Sequence, residues 1–168
     1  MKKMLLIALL FSFLTPAFAE MTIGRVDIQQ VLLTINEGKK VRTELEKFFN
    51  EKQVELKKEE EKIQKMQEDF EKQSVALNDQ AKMQRQQAIQ KAIFEIQEKT
   101  TEYQNLLRER EQTLKQPILE RIRVIVEEIS AKAAVDLTFE ASTAPILYAK
   151  NKKDLTEDVV KEYNKRHK

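Results

Sequence analysis

The feature that most constrains this chain is a heptad repeat of apolar residues through its middle. From Leu45 the seam runs Leu45, Phe49, Lys52, Leu56, Glu59, Ile63, Met66, Phe70, Gln73, Leu77, in alternating steps of four and three. With Leu45 at d, every a position (Phe49, Leu56, Ile63, Phe70, Leu77) is apolar, while d turns polar at Lys52, Glu59 and Gln73. Steps averaging 3.5 residues keep one stripe facing a partner helix and impose a left-handed supercoil. A second run, Ile89, Ile93, Ile96, Thr100, Tyr103, Leu107, Arg110, Leu114, has matching spacing. Two such helices in one chain predict an antiparallel coiled-coil hairpin, an arm reaching away from a base. The helices are expected at about 39–78 and 82–134, with the tip near 77–81, where Ser74, Asn78 and Asp79 are the only turn-prone residues. About 40 residues at 1.5 Å each make an arm roughly 60 Å long.

The return helix carries two perturbations. Leu114, Ile118 and Ile122 follow in steps of four, a stutter that locally unwinds the supercoil, and Pro117 inside it lacks a backbone donor, so a kink is expected. Beyond it Ile118, Ile122, Ile125, Val126 and Ile129 form a richer apolar face, which predicts a core at the foot of the arm.

Short strands flank the hairpin. Thr22–Asp27 (TIGRVD) reads as a strand, and Asp27 can cap a brief turn of helix over Ile28–Leu33 with Gln30 in the capping-box position. Asn36-Glu37-Gly38 is expected as a break. Val135–Glu140 (VDLTFE) places Val135, Leu137 and Phe139 on one side of a period-two strand, and Ile146–Ala149 is expected as another strand after a small-residue loop. Asp154 with Glu157 opens a final helix from Leu155 to about Asn164, with Val159, Val160 and Tyr163 as its buried side. The fold class is therefore mainly α with a small β base: an arm at 39–129 on a base built from 20–38 and 130–168. Three short strands make too little sheet to stand alone. Ile23, Val26, Val135, Leu137, Phe139, Ile146 and Leu147 are the candidate residues for sharing it between copies.

The first 19 residues read as an export signal. Lys2 and Lys3 precede an apolar run, Met4–Leu14, then Pro16 and an Ala17-Phe18-Ala19 cleavage site. The run is too short to span a membrane, which takes about 20 apolar residues. No cysteine follows the cleavage site to carry a lipid. Lys2 and Lys3 account for the whole net charge of +2, leaving 28 basic and 28 acidic residues beyond the signal. A neutral chain of this kind is not a general nucleic-acid binder, because phosphate binding draws on excess Lys and Arg. The cysteine count of zero removes any disulfide framework from an exported protein, so packing and assembly must hold it together.

Catalysis and metal binding find almost no material. The single histidine, His167, is next to last and reads as part of a frayed terminus. The two glycines cannot form a phosphate loop, and the Glu59-Glu60-Glu61 run reads as a solvated helix face. No cofactor is expected. Charge is uneven, however: residues 72–91 hold Lys72, Lys82, Arg85 and Lys91 against Asp79 alone. This basic tip is either a solvated turn or a surface for acidic partners or anionic lipid headgroups, a membrane contact peripheral at most. Off the seam, Phe48, Val54, Val75, Phe94 and Leu106 cannot all lie between two helices. They are either ordinary exposed residues or a loose surface for unfolded apolar segments.

Taken together, GRVDIQQVL near the start and VDLTFEASTAPILYAKNKKDLTEDVVKEYN at the end resemble the Skp/OmpH family of periplasmic chaperones, over essentially all of residues 20–168. The resemblance implies a homotrimer with a β-barrel-like base and helical tentacles around a cavity that holds unfolded outer-membrane proteins without ATP. On that footing the strands at 22–27, 135–140 and 146–149 are trimerisation elements. The neutral charge departs from the strongly basic family pattern, and no residue-by-residue match carries over a lipopolysaccharide-binding cluster. The competing expectation is a rigid envelope spacer or adaptor, which would want apolar d positions and an apolar tip. A transmembrane barrel is excluded, since it needs at least eight strands.

Overall fold

The computed structural model describes residues 20–168; the expected signal segment, 1–19, lies outside them. The elements in chain order are β1 (Ile23–Val26), α1 (Ile28–Thr34), α2 (Asn36–Gln73), α3 (Asp79–Lys132), β2 (Leu137–Glu140), β3 (Lys152–Asp154) and α4 (Thr156–Arg166). Helices α2 and α3 form the antiparallel arm. α2 has 38 residues and α3 has 54, and the surplus of α3 runs down into the base. The turn between them spans only 74–78, and Asn78 caps α3 by accepting the Ala81 N–H at 2.8 Å. The helix is unbroken through Pro117.

The three strands form one parallel sheet in the order β2-β1-β3. Ile23 sits opposite both Leu137 and Lys152, and Arg25 opposite both Phe139 and Asp154. Parallel neighbours need a long crossover; between β1 and β2 that crossover is the entire arm. The third strand is not the one expected. Ile146–Ala149 forms no strand, and Lys152–Asp154 pairs with β1 instead. Its sequence has no apolar alternation, and its position follows from its neighbours. Leu155 and Val159, 3 % and 0 % exposed, are anchored in the core just beyond it, which lays 152–154 against β1. Lys153 then turns inward and donates to the Ala133 carbonyl at the end of α3, where a cation meets unpaired carbonyls.

The expected break at Asn36-Glu37-Gly38 is also displaced. The chain bends one residue earlier, at Ile35 (φ −65°, ψ 149°), and Gly38 lies inside α2. Glycine is needed there for closeness: a Cβ on Gly38 would come within 1.9 Å of the Leu32 carbonyl oxygen, so α1 and α2 could not fold back on each other. Asp27 caps α1 by accepting the Gln30 N–H at 2.8 Å. Asp154 accepts the Thr156 N–H at 3.0 Å at the start of α4, while Glu157 faces Lys161 rather than closing a capping box.

The core gathers Val26, Val31, Leu32, Ile35 and Val41 against Ile118, Ile122 and Ile125 of α3 and Leu155, Val159 and Tyr163 of the C-terminal segment. Along the arm beyond it, only Leu56 and Ile89 are buried. Helix α3 ends in a Schellman pattern, with Val135 N–H on the Ser130 carbonyl (3.0 Å) and Ala134 N–H on the Ala131 carbonyl (3.2 Å). The left-handed residue is Ala134, at φ 50°, where glycine is the usual occupant. Ala134→Gly is expected to raise stability by roughly 0.5–1 kcal/mol, and Ala134→Val to lower it, in urea titrations. Hydrogen exchange is expected to be fastest over 65–95 and slowest at Ile118–Ile125, because opening costs least where apolar contacts are fewest. Uniform protection along both arm helices would contradict that.

Candidate functional site

Two surfaces carry the chemistry: the arm and the outer face of the sheet. On α2 the seam departs from the expected heptads at one place. Phe48 turns toward α3, and Phe49 is 47 % exposed. The steps Phe48–Lys52–Leu56 are then two fours in a row, a stutter in α2 of the same kind as the one α3 makes at Ile118, at a different level of the arm. Arg110 explains the choice. Its guanidinium lies 5.1 Å from the Phe48 ring centre while it donates to Glu44 at 2.7 Å across the arm.

The polar seam positions are tied between helices. Lys52 Nζ lies 4.6 Å from the Tyr103 ring centre and donates to Glu55 at 2.9 Å, and the Tyr103 hydroxyl donates to Glu55 at 2.6 Å. Those two bonds, Tyr103's foremost, hold the Glu55 carboxyl below its usual range, and the hydroxyl is raised in turn. Glu59 accepts from Lys62 at 3.1 Å and reaches Lys99 at 3.4 Å, which lowers it likewise. At the root, Arg121 donates to both oxygens of Glu37 at 2.9 Å, and the buried Tyr163 hydroxyl donates to it at 2.6 Å. Burial opposes the Glu37 charge, but these donors outweigh it and its pKa falls; burial, then the Glu37 bond, pushes Tyr163 up to about 12. His167 is part of this cluster, 4.7 Å from the Tyr163 ring and donating its backbone N–H to the Tyr163 carbonyl, and so is not the free terminus the sequence suggested. Sequence reasoning missed the cluster because its members lie 84 and 126 residues apart and no local pattern joins them.

The candidate arm residues do not share one side. Phe48 is half-buried and borders a shallow groove with Leu106, whereas Val54 lies in another groove with Lys47, Asn50 and Lys58. Val75 is 95 % exposed at the tip and Phe94 is exposed on α3. Of the tip cations, Lys72 sits 4.0 Å from Glu68 and Lys91 3.7 Å from Glu95, so half of the expected basic cluster is locally compensated. Lys82 and Arg85 lie on the first turns of α3, flanking the exposed Met83 in sequence.

The sheet separates the other candidates by face. Val26 is 1 % exposed and Val135 packs against the same core, so these two serve the protomer's own interior and are not free to meet a neighbour. Thr138 also points inward, bonded to Ser130 at 2.7 Å. By alternation Ile23, Leu137 and Phe139 take the opposite face, with Leu137 47 % exposed. Phe139, Arg25 and Ile146 line a cavity of about 230 Å³ there, under the 141–151 loop. Leu147 and Tyr148, 99 % and 83 % exposed, project from that loop, and β2 and β3 each leave one edge unpaired. At the loop's start Glu140 accepts from Ser142 Oγ (2.7 Å) and from the Ser142 and Thr143 N–H groups, which lower its pKa to about 2, with Ser142 the main cause.

Among the described residues no cluster of potential ligands could hold a metal ion, and no helix is long and apolar enough to cross a membrane. The arrangement is that of a helical-hairpin protein on a small parallel-sheet base. A family model described as outer membrane protein (OmpH-like) matches residues 22–163, and the chain belongs to that family. The crystal structure of an OmpH-like protein of Caulobacter crescentus, assigned as an outer membrane chaperone, has the same fold: TM-score 0.71 at 15% identity, covering 90% of this chain and 87% of that one. No curated protein matches the sequence.

Because the folded pKa of Glu140 is depressed, its contribution is present above the ordinary carboxyl value and is lost as pH falls from about 4.5 to about 2. Glu140→Gln should lower stability near neutrality and flatten the stability–pH curve in that window, so that the two proteins converge toward pH 2; an identical acid slope in chemical denaturation would remove Glu140 from the loop's anchoring.

Proposed function

We propose that this protein is an ATP-independent periplasmic holdase: several copies assemble through their sheets, and their arms enclose unfolded outer-membrane β-barrel proteins and keep them from aggregating. Membership of the OmpH-like family supports this reading, and the single observation that carries it is the arm itself. An arm sealed by two buried apolar residues and otherwise by exposed polar ties can give way around a bulky partner without unfolding its base. A rigid spacer would need the opposite, a continuous apolar seam. Holding requires no nucleotide, metal or other cofactor, and the arm presents dispersed apolar side chains, Val54, Phe94 and Leu106 among them, as weak contacts.

Assembly as a homotrimer accounts for the outer sheet face. Leu137 and Leu147 are exposed and Ile23, Phe139 and Ile146 only half-buried within one protomer, beside two open sheet edges. Phe139→Asp should dissociate the assembly, since each large apolar side chain buried contributes roughly 1.5–3 kcal/mol. Sedimentation of an unchanged trimer would take the sheet out of the interface.

The decisive test of the function is suppression of aggregation of a urea-unfolded outer-membrane barrel on dilution, without nucleotide. Suppression should be unchanged by ATP or a chelator; a strong effect of either would defeat the passive reading. Replacing Lys72, Lys82, Arg85 and Lys91 together with Gln should slow capture of an acidic client at low salt, because exposed charges act over a Debye length of about 8 Å at physiological ionic strength. Equal association rates and salt slopes would make the tip a solvated turn.

A further inference from the structure

Helix α3 has one weak point. Pro117 has no N–H to offer the Thr113 carbonyl, so the helix lacks a rung of its ladder there, although it continues through the proline. Two cross-ties bracket that level, Glu44–Arg110 on the tip side and Glu37–Arg121 on the root side. Helix α2 has its own discontinuity just below, at Ile35, which offers no side-chain cap to the helix it precedes. The cap comes from the far end of the chain. Asn164 Oδ1 of α4 accepts the Asn36 N–H at 2.9 Å, 128 residues away. Its neighbour Tyr163 donates its hydroxyl to Glu37 in the first turn of α2, at 2.6 Å. Arg166 reaches the other leg of the arm, donating to the two oxygens of Glu128 on α3 at 3.0 and 2.5 Å. A single turn of α4, residues 163–166, therefore grips α2 and α3 at once.

We infer that this turn of α4 is a strap that keeps the arm from bending at Pro117, and that its release lets the arm swing about its base. The inference concerns how the arm moves and stands whether or not the arm holds a client. Its basis is path length. Packed helices lie about 9 Å apart, so bending the pair by about 20° in their common plane makes one slide about 3 Å along the other. The helices are joined at the tip by residues 74–78 alone, so the slack must be taken up at the root of α2. A slide of about 3 Å exceeds what a hydrogen bond tolerates. The Asn164 cap and the Tyr163 and Arg121 bonds to Glu37 must therefore let go before the arm bends. The gain in reach is large. From Asp79 to Pro117 α3 runs about 57 Å, so the same bend carries the tip about 20 Å. What gives way is a few side-chain bonds, and neither the sheet nor the helices of the arm need unfold.

The chain contains no cysteine, so two introduced thiols are its only labelling sites. Spin labels on Val75→Cys at the tip and Met21→Cys in the base, both exposed positions, report the arm's angle as a distance distribution in double electron–electron resonance. Labelled chains are diluted into a large excess of unlabelled protein, so that only distances within one chain are read. Tyr163→Phe, Asn164→Ala and Arg166→Gln together remove the strap's bonds and keep a ring in the core at position 163. The expected result is a distribution at least twice as wide as that of the strapped protein. Adding Pro117→Ala, which supplies the missing N–H, should return it close to the original width. A merely structural loss in α4 would broaden it with or without the proline, so the coupling between the two changes is the decisive reading. An unchanged width in the triple variant would overturn the strap, and broadening that persists with Pro117→Ala would overturn the hinge. If circular dichroism shows the triple variant to have lost helix, Asn164→Ala alone carries the measurement. It removes one bond at a half-buried position, a smaller broadening is expected, and the same two results would overturn the inference.

Discussion

Everything in this protein hangs on the pairing of β1 with strands from the other end of the chain. Ile23 meets Leu137 on one side and Lys152 on the other, so four residues near the start hold together segments more than a hundred positions away. Because the strands run parallel, the chain between β1 and β2 must return to the same end of the sheet before entering it again. A hairpin of two unequal helices meets that requirement. The extra residues of α3 then cross the sheet's inner face, where Ile118, Ile122 and Ile125 complete the core with Val26, Leu155 and Tyr163.

Stability is correspondingly lopsided. Fully buried apolar side chains contribute roughly 1.5–3 kcal/mol each, whereas exposed ion pairs contribute roughly 0.2–1 kcal/mol. The base has the former and the arm mostly the latter. Glu37–Arg121 and Glu44–Arg110 fasten the lower arm, the Lys52–Glu55–Tyr103 group the middle, and Glu59–Lys99 the outer half. These contacts set the register between helices more than they resist opening. An arm built this way is specific in its pairing and soft in its mechanics.

The sheet faces two ways. Its inner residues, Gly24, Val26 and Thr138, are committed to α3, and Gly24 has no room for a side chain, since a Cβ would lie 2.6 Å from Thr138 Oγ1. Its outer residues, Ile23, Leu137 and Phe139, lack such a layer. The apolar surface outside the core is thus concentrated at the base, while the arm's surface is mostly charged.

Much of this architecture was legible in the amino-acid sequence alone. The heptads determined two long helices with facing apolar stripes, because steps averaging 3.5 residues keep the stripe against a partner helix. The isoleucines from 118 to 129 determined where it thickens into a core, and Asp27 and Asn78 determined helix starts through local hydrogen bonds. What the sequence left open depended on residues far apart. Phe48 rather than Phe49 enters the seam because Arg110, on the other helix, packs over its ring. Ile146–Ala149 has the strand pattern and stays unpaired, while Lys152–Asp154 has none and is paired, because Leu155 and Val159 are anchored beside β1. The Glu37–Arg121–Tyr163 cluster has no local signature at all. Periodicity and capping act within a few residues and can be read in order along the chain; register, edge occupancy and buried polar clusters are decided by which distant segments pack together, and only the tertiary structure supplies that.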